Sequence, residues 1–305
     1  MPIRVLAAAL AVLALAGCTA RASAAGVLNV VTAFYPLEFL SERIGGPGVH
    51  VTDLTKPGAE PHDVELNPRQ VGTIADAGVV AYLRGFQPAV DDAVAQEAKG
   101  RAFDASQVVP LLPLADGTDG KPEPGADHPE TAGGGMDPHV WLDPVRFATI
   151  ADRLGARFAQ ADPAHAAGYT ARAAQVHGEL DALNTEMAAG LRQCTRHEIV
   201  TSHSAFNYLA TRYGLTQIGI TGISPEAEPS PRRMGRIAAQ ARATGTTTIF
   251  FETLVSPKVA ETVAREVGAR TAVLDPLEGL TERGADYFSV MRDNLATLRT
   301  ALGCS

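Results

Sequence analysis

Residues 162–187 read DPAHAAGYTARAAQVHGELDALNTEM. Asp162-Pro163 is a helix-start signal: proline has no amide proton to leave unpaired in the first turn, and its φ is already helical. Beyond it, Tyr169, Ala173, Val176, Leu180, Leu183 and Met187 recur at steps of 4, 3, 4, 3 and 4. That spacing lays one narrow apolar stripe along one helix face. Sustained over about 25 residues at about 1.5 Å each, it predicts a rod near 40 Å long. Such a rod can be a bundle helix or a brace between two lobes, and the sequence on either side favours the brace.

Upstream, β-rich runs at 27–34, 49–54, 78–83 and 108–112 alternate with helical stretches at 36–45, 68–77 and 88–99. Phe147, Ile150, Leu154 and Phe158 then share the face of a further helix. Downstream, strands are expected at 197–202, 217–221, 246–252 and 270–274, and helices at 205–213, 232–244, 257–268 and 286–302. Alternating strands and helices imply parallel sheets covered by helices. The expected fold class is α/β: two lobes with mostly parallel sheets flanked by helices, joined by a long rigid helix. The expected division is a lobe at 27–145, linker helices at 146–192 and a lobe at 193–305.

The chain has 305 residues, 46% apolar and 20% charged, which is globular rather than disordered composition. Its formal net charge of −8 argues against a nucleic-acid partner, since non-specific binding there needs basic surface. Residues 115–136 hold Gly, Pro, Asp and Glu with almost no apolar side chain, and read as a flexible surface loop.

The first residues carry Arg4, an apolar run over 5–16 and then Gly17-Cys18. A positive start, a short apolar stretch and small residues describe a secretory signal. The run falls short of the roughly 18–20 residues that a permanent membrane span requires. Leu15-Ala16-Gly17-Cys18 also looks like a bacterial lipobox, in which Cys18 becomes the first mature residue and carries lipid. The alternative is a plain signal peptide with an incidental cysteine. On the lipobox reading, 1–17 is removed and 18–26 is a tether. Cys194 and Cys304 remain, and outside the cytoplasm an even remainder suggests a disulfide, with two buried free thiols as the alternative.

In parallel α/β sheets, ligands bind beyond the carboxyl ends of the strands. His203 and Asp275 each follow an expected strand of the second lobe, and Glu252 closes one. His62 lies between a strand and a helix of the first lobe, and His139 lies where the acidic loop re-enters structure. Imidazole nitrogen suits zinc, and a carboxylate can complete a four-coordinate set. Taken singly, each histidine also reads as a solvated or capping residue, and Asp275 before Pro276 as a turn starter. Glu252 reads better as a carboxylate that supports the site than as a ligand. His50, His165, His177 and His197 lack partners in sequence and are expected to be structural or exposed. His197-Glu198 begins like a zinc-protease motif, but the second histidine is absent. There is no Cys-x-x-Cys, no phosphate-binding loop and no Gly-x-Ser-x-Gly turn.

These residues carry a resemblance. Glu60-Pro61-His62-Asp63-Val64-Glu65-Leu66, Asp137-Pro138-His139-Val140-Trp141-Leu142-Asp143-Pro144, Thr201-Ser202-His203-Ser204-Ala205-Phe206-Asn207-Tyr208-Leu209 and Leu274-Asp275-Pro276-Leu277 occur in that order. Ile223-Ser224-Pro225-Glu226-Ala227-Glu228-Pro229-Ser230 adds a fifth segment. The chain resembles the zinc/manganese-binding solute receptors of bacterial ABC importers, the cluster A-I type, from about residue 28 to 305. The resemblance implies a metal bound between two lobes by His62, His139, His203 and Asp275. It implies Zn2+ as the ion, since histidine at the third position goes with zinc and glutamate there more often with Mn2+. It also implies ABC permease and ATPase partners; with the lipobox, the expected location is extracytoplasmic and lipid-anchored at the cell membrane, and the expected state is a monomer.

The departure from the family is the loop before the second ligand. Zinc members often carry a histidine-rich loop there, whereas this one contains only His128. Asp116, Asp119, Glu123, Asp127, His128 and Glu130 could form a weak metal-collecting antenna, or the loop could be a plain insertion. The expected activity is capture and hand-over rather than catalysis. The competing readings are a manganese receptor of the same type, a secreted zinc hydrolase with Glu252 as general base, and a spine-joined adhesin or iron-chelate receptor.

Overall fold

The computed structural model describes residues 26–114, 135–280 and 284–305. The expected signal peptide, Cys18 and His128 with its acidic neighbours lie outside the described residues. Among the described residues no helix is long and apolar enough to cross a membrane.

The first sheet comprises β1 (Leu28–Thr32), β2 (Val49–Asp53), β3 (Val79–Tyr82) and β4 (Ala102–Asp104), in the order β2-β1-β3-β4 and parallel throughout. Its crossovers run through α1 (Tyr35–Gly45), α2 (Pro68–Asp76) and α3 (Pro88–Glu97). The helices α4 (Pro144–Ala161) and α5 (Ala166–Leu191) follow. The second sheet holds β5 (Glu198–Thr201), β6 (Thr216–Gly219), β7 (Thr248–Phe251) and β8 (Arg270–Val273) in the equivalent order β6-β5-β7-β8, again parallel. It is connected by α6 (Asn207–Tyr213), α7 (Pro231–Ala243) and α8 (Lys258–Val267), and α9 (Tyr287–Leu302) closes the chain.

Local sequence explains most of these boundaries. Proline stands in the first turn of α1, α2, α3, α4 and α7. Asn67 and Gln70 form a reciprocal capping box on α2, as do Asp286 and Ser289 on α9. Gly303, at φ 68°, ends α9 in the left-handed conformation that glycine adopts without a Cβ clash. One expected strand is corrected. Residues 108–112 form no strand, and the fourth position of the first sheet is taken by Ala102–Asp104. The apolar run contains Pro110, and the main chain of Leu112 turns away to other partners: its N–H donates to the Tyr208 hydroxyl (2.8 Å) and its carbonyl accepts from Asp137 N–H (2.8 Å). The real strand buries only Phe103 and is too short to show a period.

The brace forms as its stripe predicts. Tyr169, Ala173, Val176, Leu180, Leu183 and Met187 are all buried. Asp162-Pro163 opens a 3-10 turn (Pro163–His165) just ahead of α5. Towards the first lobe, Arg172 donates to the Ile44 and Gly45 carbonyls (both 2.6 Å), and Glu179 pairs with Arg43 (2.5 Å). Towards the second, Glu186 pairs with Arg292 (2.9 Å) and Asn184 accepts from the Tyr213 hydroxyl (3.2 Å). One continuous apolar core runs through the first sheet, α4, α5 and α9 and reaches Phe250, Leu274 and Leu277 of the second lobe. A second core, around Ile218, Ile237, Ile249 and Val263, lies within the second lobe. Cys194 and Cys304 are joined by a disulfide that ties the chain after α5 to the chain after α9.

Polar contacts stitch the lobes together around Trp141. Its indole N–H donates to the Pro276 carbonyl (2.7 Å), and its own carbonyl accepts from the Tyr287 hydroxyl (2.6 Å). Arg212 of α6 donates through two nitrogens to the buried Asp143 (2.9 and 2.7 Å). A bidentate pair anchored on a buried carboxylate and a shared core resist wide opening of the cleft.

Candidate metal centre

Each strand order places a crevice where crossovers leave in opposite directions, beside β1 and β3 in one lobe and β5 and β7 in the other. The chemistry collects at the carboxyl ends of those strands. His62 lies in the connection from β2 to α2, and His139 in the return from β4 to α4, just before a 3-10 turn (Val140–Leu142). His203 follows β5, and Glu278 lies beyond β8. Within this group, one potential donor atom from each residue lies within 4.8 Å of the others. All four side chains are buried; His62, the most open, is 7% exposed.

The three imidazoles point their Nε2 atoms at one oxygen. Glu278 Oε1 lies 3.3 Å from His62, 3.1 Å from His139 and 3.1 Å from His203. A tetrahedral ion with bonds of about 2.0 Å has donor–donor edges of about 3.3 Å. The three nitrogen–oxygen edges to Glu278 have that length, and three nitrogens with one carboxylate are the donor chemistry that zinc prefers. Glu278 Oε2 has no hydrogen-bond partner. A buried carboxylate oxygen without a partner is costly, and a bound cation would relieve that cost.

Two of the rings are oriented from behind. His139 Nδ1 lies 2.8 Å from Asp137 Oδ1, and His203 Nδ1 lies 2.8 Å from Glu252 Oε1. Placing a proton on Nδ1 leaves the Nε2 lone pair free for a metal and raises its basicity. Asp137 also accepts from the His139 amide (2.9 Å), and Glu252 from the Ser202 hydroxyl (2.7 Å).

The protonation balance follows from these contacts. Burial lowers the His62 imidazole, and Glu278 offsets part of that effect. For His139, burial is outweighed by hydrogen bonds to Asp137 and Glu278, so its value rises. For His203, burial is outweighed by the charges of Glu252 and Glu278, which raise it well above an ordinary imidazole. Burial would raise the Glu278 carboxyl, but the surrounding imidazoles, His203 foremost, hold it well below the usual carboxylate range.

Comparison with known proteins places the chain in a family. The ZnuA family model, described as "Zinc-uptake complex component A periplasmic", matches residues 30–301. The chain belongs to this family. Among its ZnuA-family relatives, the zinc-binding protein AdcA of Streptococcus pyogenes is 36% identical over 289 residues, covering 90% of this chain and 56% of AdcA. The chain thus spans about half the length of AdcA. The high-affinity zinc uptake system protein ZnuA of Bacillus subtilis is 32% identical over 285 residues, covering 90% of this chain and 88% of that one. In structure, the Zn(II)-bound ZnuA-like domain of Streptococcus pneumoniae AdcA matches with a TM-score of 0.75 and 33% identity, over 91% of this chain and 99% of that one. The laminin-binding protein Lmb of Streptococcus agalactiae, described as an adhesin with metal-transporting activity, matches with a TM-score of 0.78 and 31% identity, over 90% and 99%.

Within this ZnuA-family framework the three expected histidines come together, and the expected aspartate does not join them. Asp275 is held by its own loop and by the chain after β7: Oδ1 accepts from the Leu277 amide (2.7 Å) and Oδ2 from the Thr253 hydroxyl (3.2 Å). Burial raises its carboxyl to about 6. The carboxylate that faces the imidazoles is Glu278, three residues on. Between them Leu277 sits at φ 60°, the one non-glycine residue with positive φ among the described residues. That left-handed step redirects the chain so that the later carboxylate enters the site. Residue types in this loop offer two acids and no sign of which one turns inward. Glu252 lies behind His203, with Oε1 2.8 Å from Nδ1. Asp137 carried a readable signal, since Asp-x-His sets a carboxylate two residues before an imidazole. His165 and His177 bond instead to Asp162 (2.6 Å) and Asp152 (2.8 Å), away from the centre, and His50 and His197 are exposed.

Proposed function

We propose that this protein is an extracytoplasmic solute-binding protein that captures a divalent transition metal, zinc in preference to manganese, and delivers it to the permease and ATPase of an ABC importer. The metal ligands are His62, His139, His203 and Glu278. The observation that carries this reading is the convergence of three buried Nε2 atoms on one Glu278 oxygen at 3.1–3.3 Å. Three nitrogens and one carboxylate favour zinc over the harder manganese ion. Four protein donors fill a tetrahedral ion and leave no position for an activated water, so the site holds and releases rather than catalyses. A lipid anchor at Cys18, a monomeric state and the division into lobes at 27–145 and 193–305 joined by 146–192 belong to the same proposal. The zinc-binding names of the relatives and the Cys194–Cys304 bridge support it.

The test is a titration of metal-free protein. One zinc per chain is expected, with manganese unable to displace it at large excess. Equal competition by manganese would overturn the choice of ion, and no stoichiometric zinc would overturn the site.

The pH dependence has a definite sign. A proton on Nε2 competes with the ion, so apparent affinity rises with pH until the ligands are deprotonated. The raised imidazole of His203 sets that limit. Zinc affinity should therefore still be rising above the ordinary imidazole value of about 6.5 and fall steeply below it. A profile already flat at that value would contradict the protonation balance described above.

A further inference from the structure

His62 differs from its two companions. His139 and His203 each have a carboxylate behind Nδ1, whereas among the described residues the His62 ring hydrogen-bonds to Glu278, across the site. What fixes His62 must therefore act through its loop. The loop between β2 and α2 approaches the turn between β3 and α3, and two consecutive residues of that turn grip it. The Phe86 ring packs edge-on against the His62 ring, with centroids 4.5 Å apart and planes at 69°. The neighbouring Gln87 is 2% exposed, and its Nε2 faces three oxygens: the Pro61 carbonyl at 3.0 Å, the Thr55 hydroxyl at 3.1 Å and the Ala33 carbonyl at 3.3 Å.

Those three oxygens belong to three different pieces of chain. Ala33 follows β1, Thr55 follows β2, and Pro61 immediately precedes His62. Thr55 also donates to the Ala33 carbonyl (2.7 Å), so the hydroxyl and the amide form one buried knot. Through it the ligand loop is pinned to the ends of β1, a central strand of the first sheet, and of its neighbour β2. A hydrogen-bond donor suits this place, because every neighbour it meets can accept. We propose that Gln87 is a positioning residue for His62: it holds the Pro61 carbonyl so that Nε2 stays on the shared metal, and it thereby sets the rate at which the ion is released. This rests on the reading of the centre as a zinc site.

Gln87→Glu keeps the shape and removes the donor, setting a carboxylate against two carbonyls. Loss of an outer partner of this kind typically costs 10- to 100-fold in metal affinity. Gln87→Glu should bind one zinc per chain, release it about 10- to 100-fold faster at an unchanged association rate, and show two imidazoles rather than three by X-ray absorption of the zinc-loaded protein. Gln87→Leu supplies the same readouts if the buried charge prevents folding. Val263→Ala, in the second core, supplies a destabilised protein with an untouched site. Release at the wild-type rate with three imidazoles in the Gln87 variants would overturn the proposal. So would equally fast release from Val263→Ala, which would make the effect one of general stability. A wild-type protein that binds no zinc overturns the reading of the centre itself, so the two failures are distinguishable.

Discussion

Glu278→Gln should lower zinc affinity by about 100- to several-thousand-fold, while Asp275→Asn leaves it almost unchanged. The size follows from burial. Glu278 is fully enclosed among three imidazoles, so its charge is part of a set that water does not screen. Removing one partner from a buried charged set costs about 3–5 kcal/mol, and about 1.4 kcal/mol is tenfold in a dissociation constant. Glutamine preserves the side-chain shape, so the loss reports charge and donor strength rather than a cavity. Asparagine at 275 keeps the oxygen that accepts from the Leu277 amide and hence the turn that aims Glu278. Competition with a calibrated zinc chelator measures both variants. The opposite ranking, with Asp275→Asn the weaker binder, would return Asp275 to the ligand set.

Cys194→Ser combined with Cys304→Ser should lower the melting temperature by about 8–20 °C and leave zinc stoichiometry intact. The bridge closes a loop of 110 residues. In the chain-entropy model, cross-linking a loop of that length removes about 4–5 kcal/mol of unfolded-state freedom. A chain of this size loses roughly 2–4 °C per kcal/mol. The bonded pair joins the chain ends flanking the second lobe and takes no part in the group around Glu278. Thermal unfolding of metal-free protein, with and without reductant, measures the effect. An unchanged midpoint would mean that the unfolded chain is already restricted there.

Much of this architecture is legible in residue order because its causes are local. The stripe from Tyr169 to Met187 needs only the helix period to declare a rod, and every member of it is buried. Strands such as Val79–Tyr82 and Thr248–Phe251 are short apolar runs between turn signals, as expected of strands covered on both faces. The strand Ala102–Asp104 escaped because three residues carry no period, while a richer apolar run stood six residues on. His62, His139 and His203 could be placed because each sits at a strand's carboxyl end or at a loop's re-entry, positions fixed by topology.

The fourth ligand proposed here was of a different kind. Sequence by itself determined that an acidic residue follows β8 and that the second sheet would present it to the cleft. Asp275 and Glu278 both satisfy that description. Only the tertiary structure chose between them, through one left-handed residue at Leu277 and the Thr253 hydroxyl that holds Asp275 aside. The same limit applies to Gln87, whose amide is defined by oxygens from three separate segments. Periodicity and caps are properties of neighbours along the chain. The direction of a side chain in an irregular loop is set by what packs against it from elsewhere.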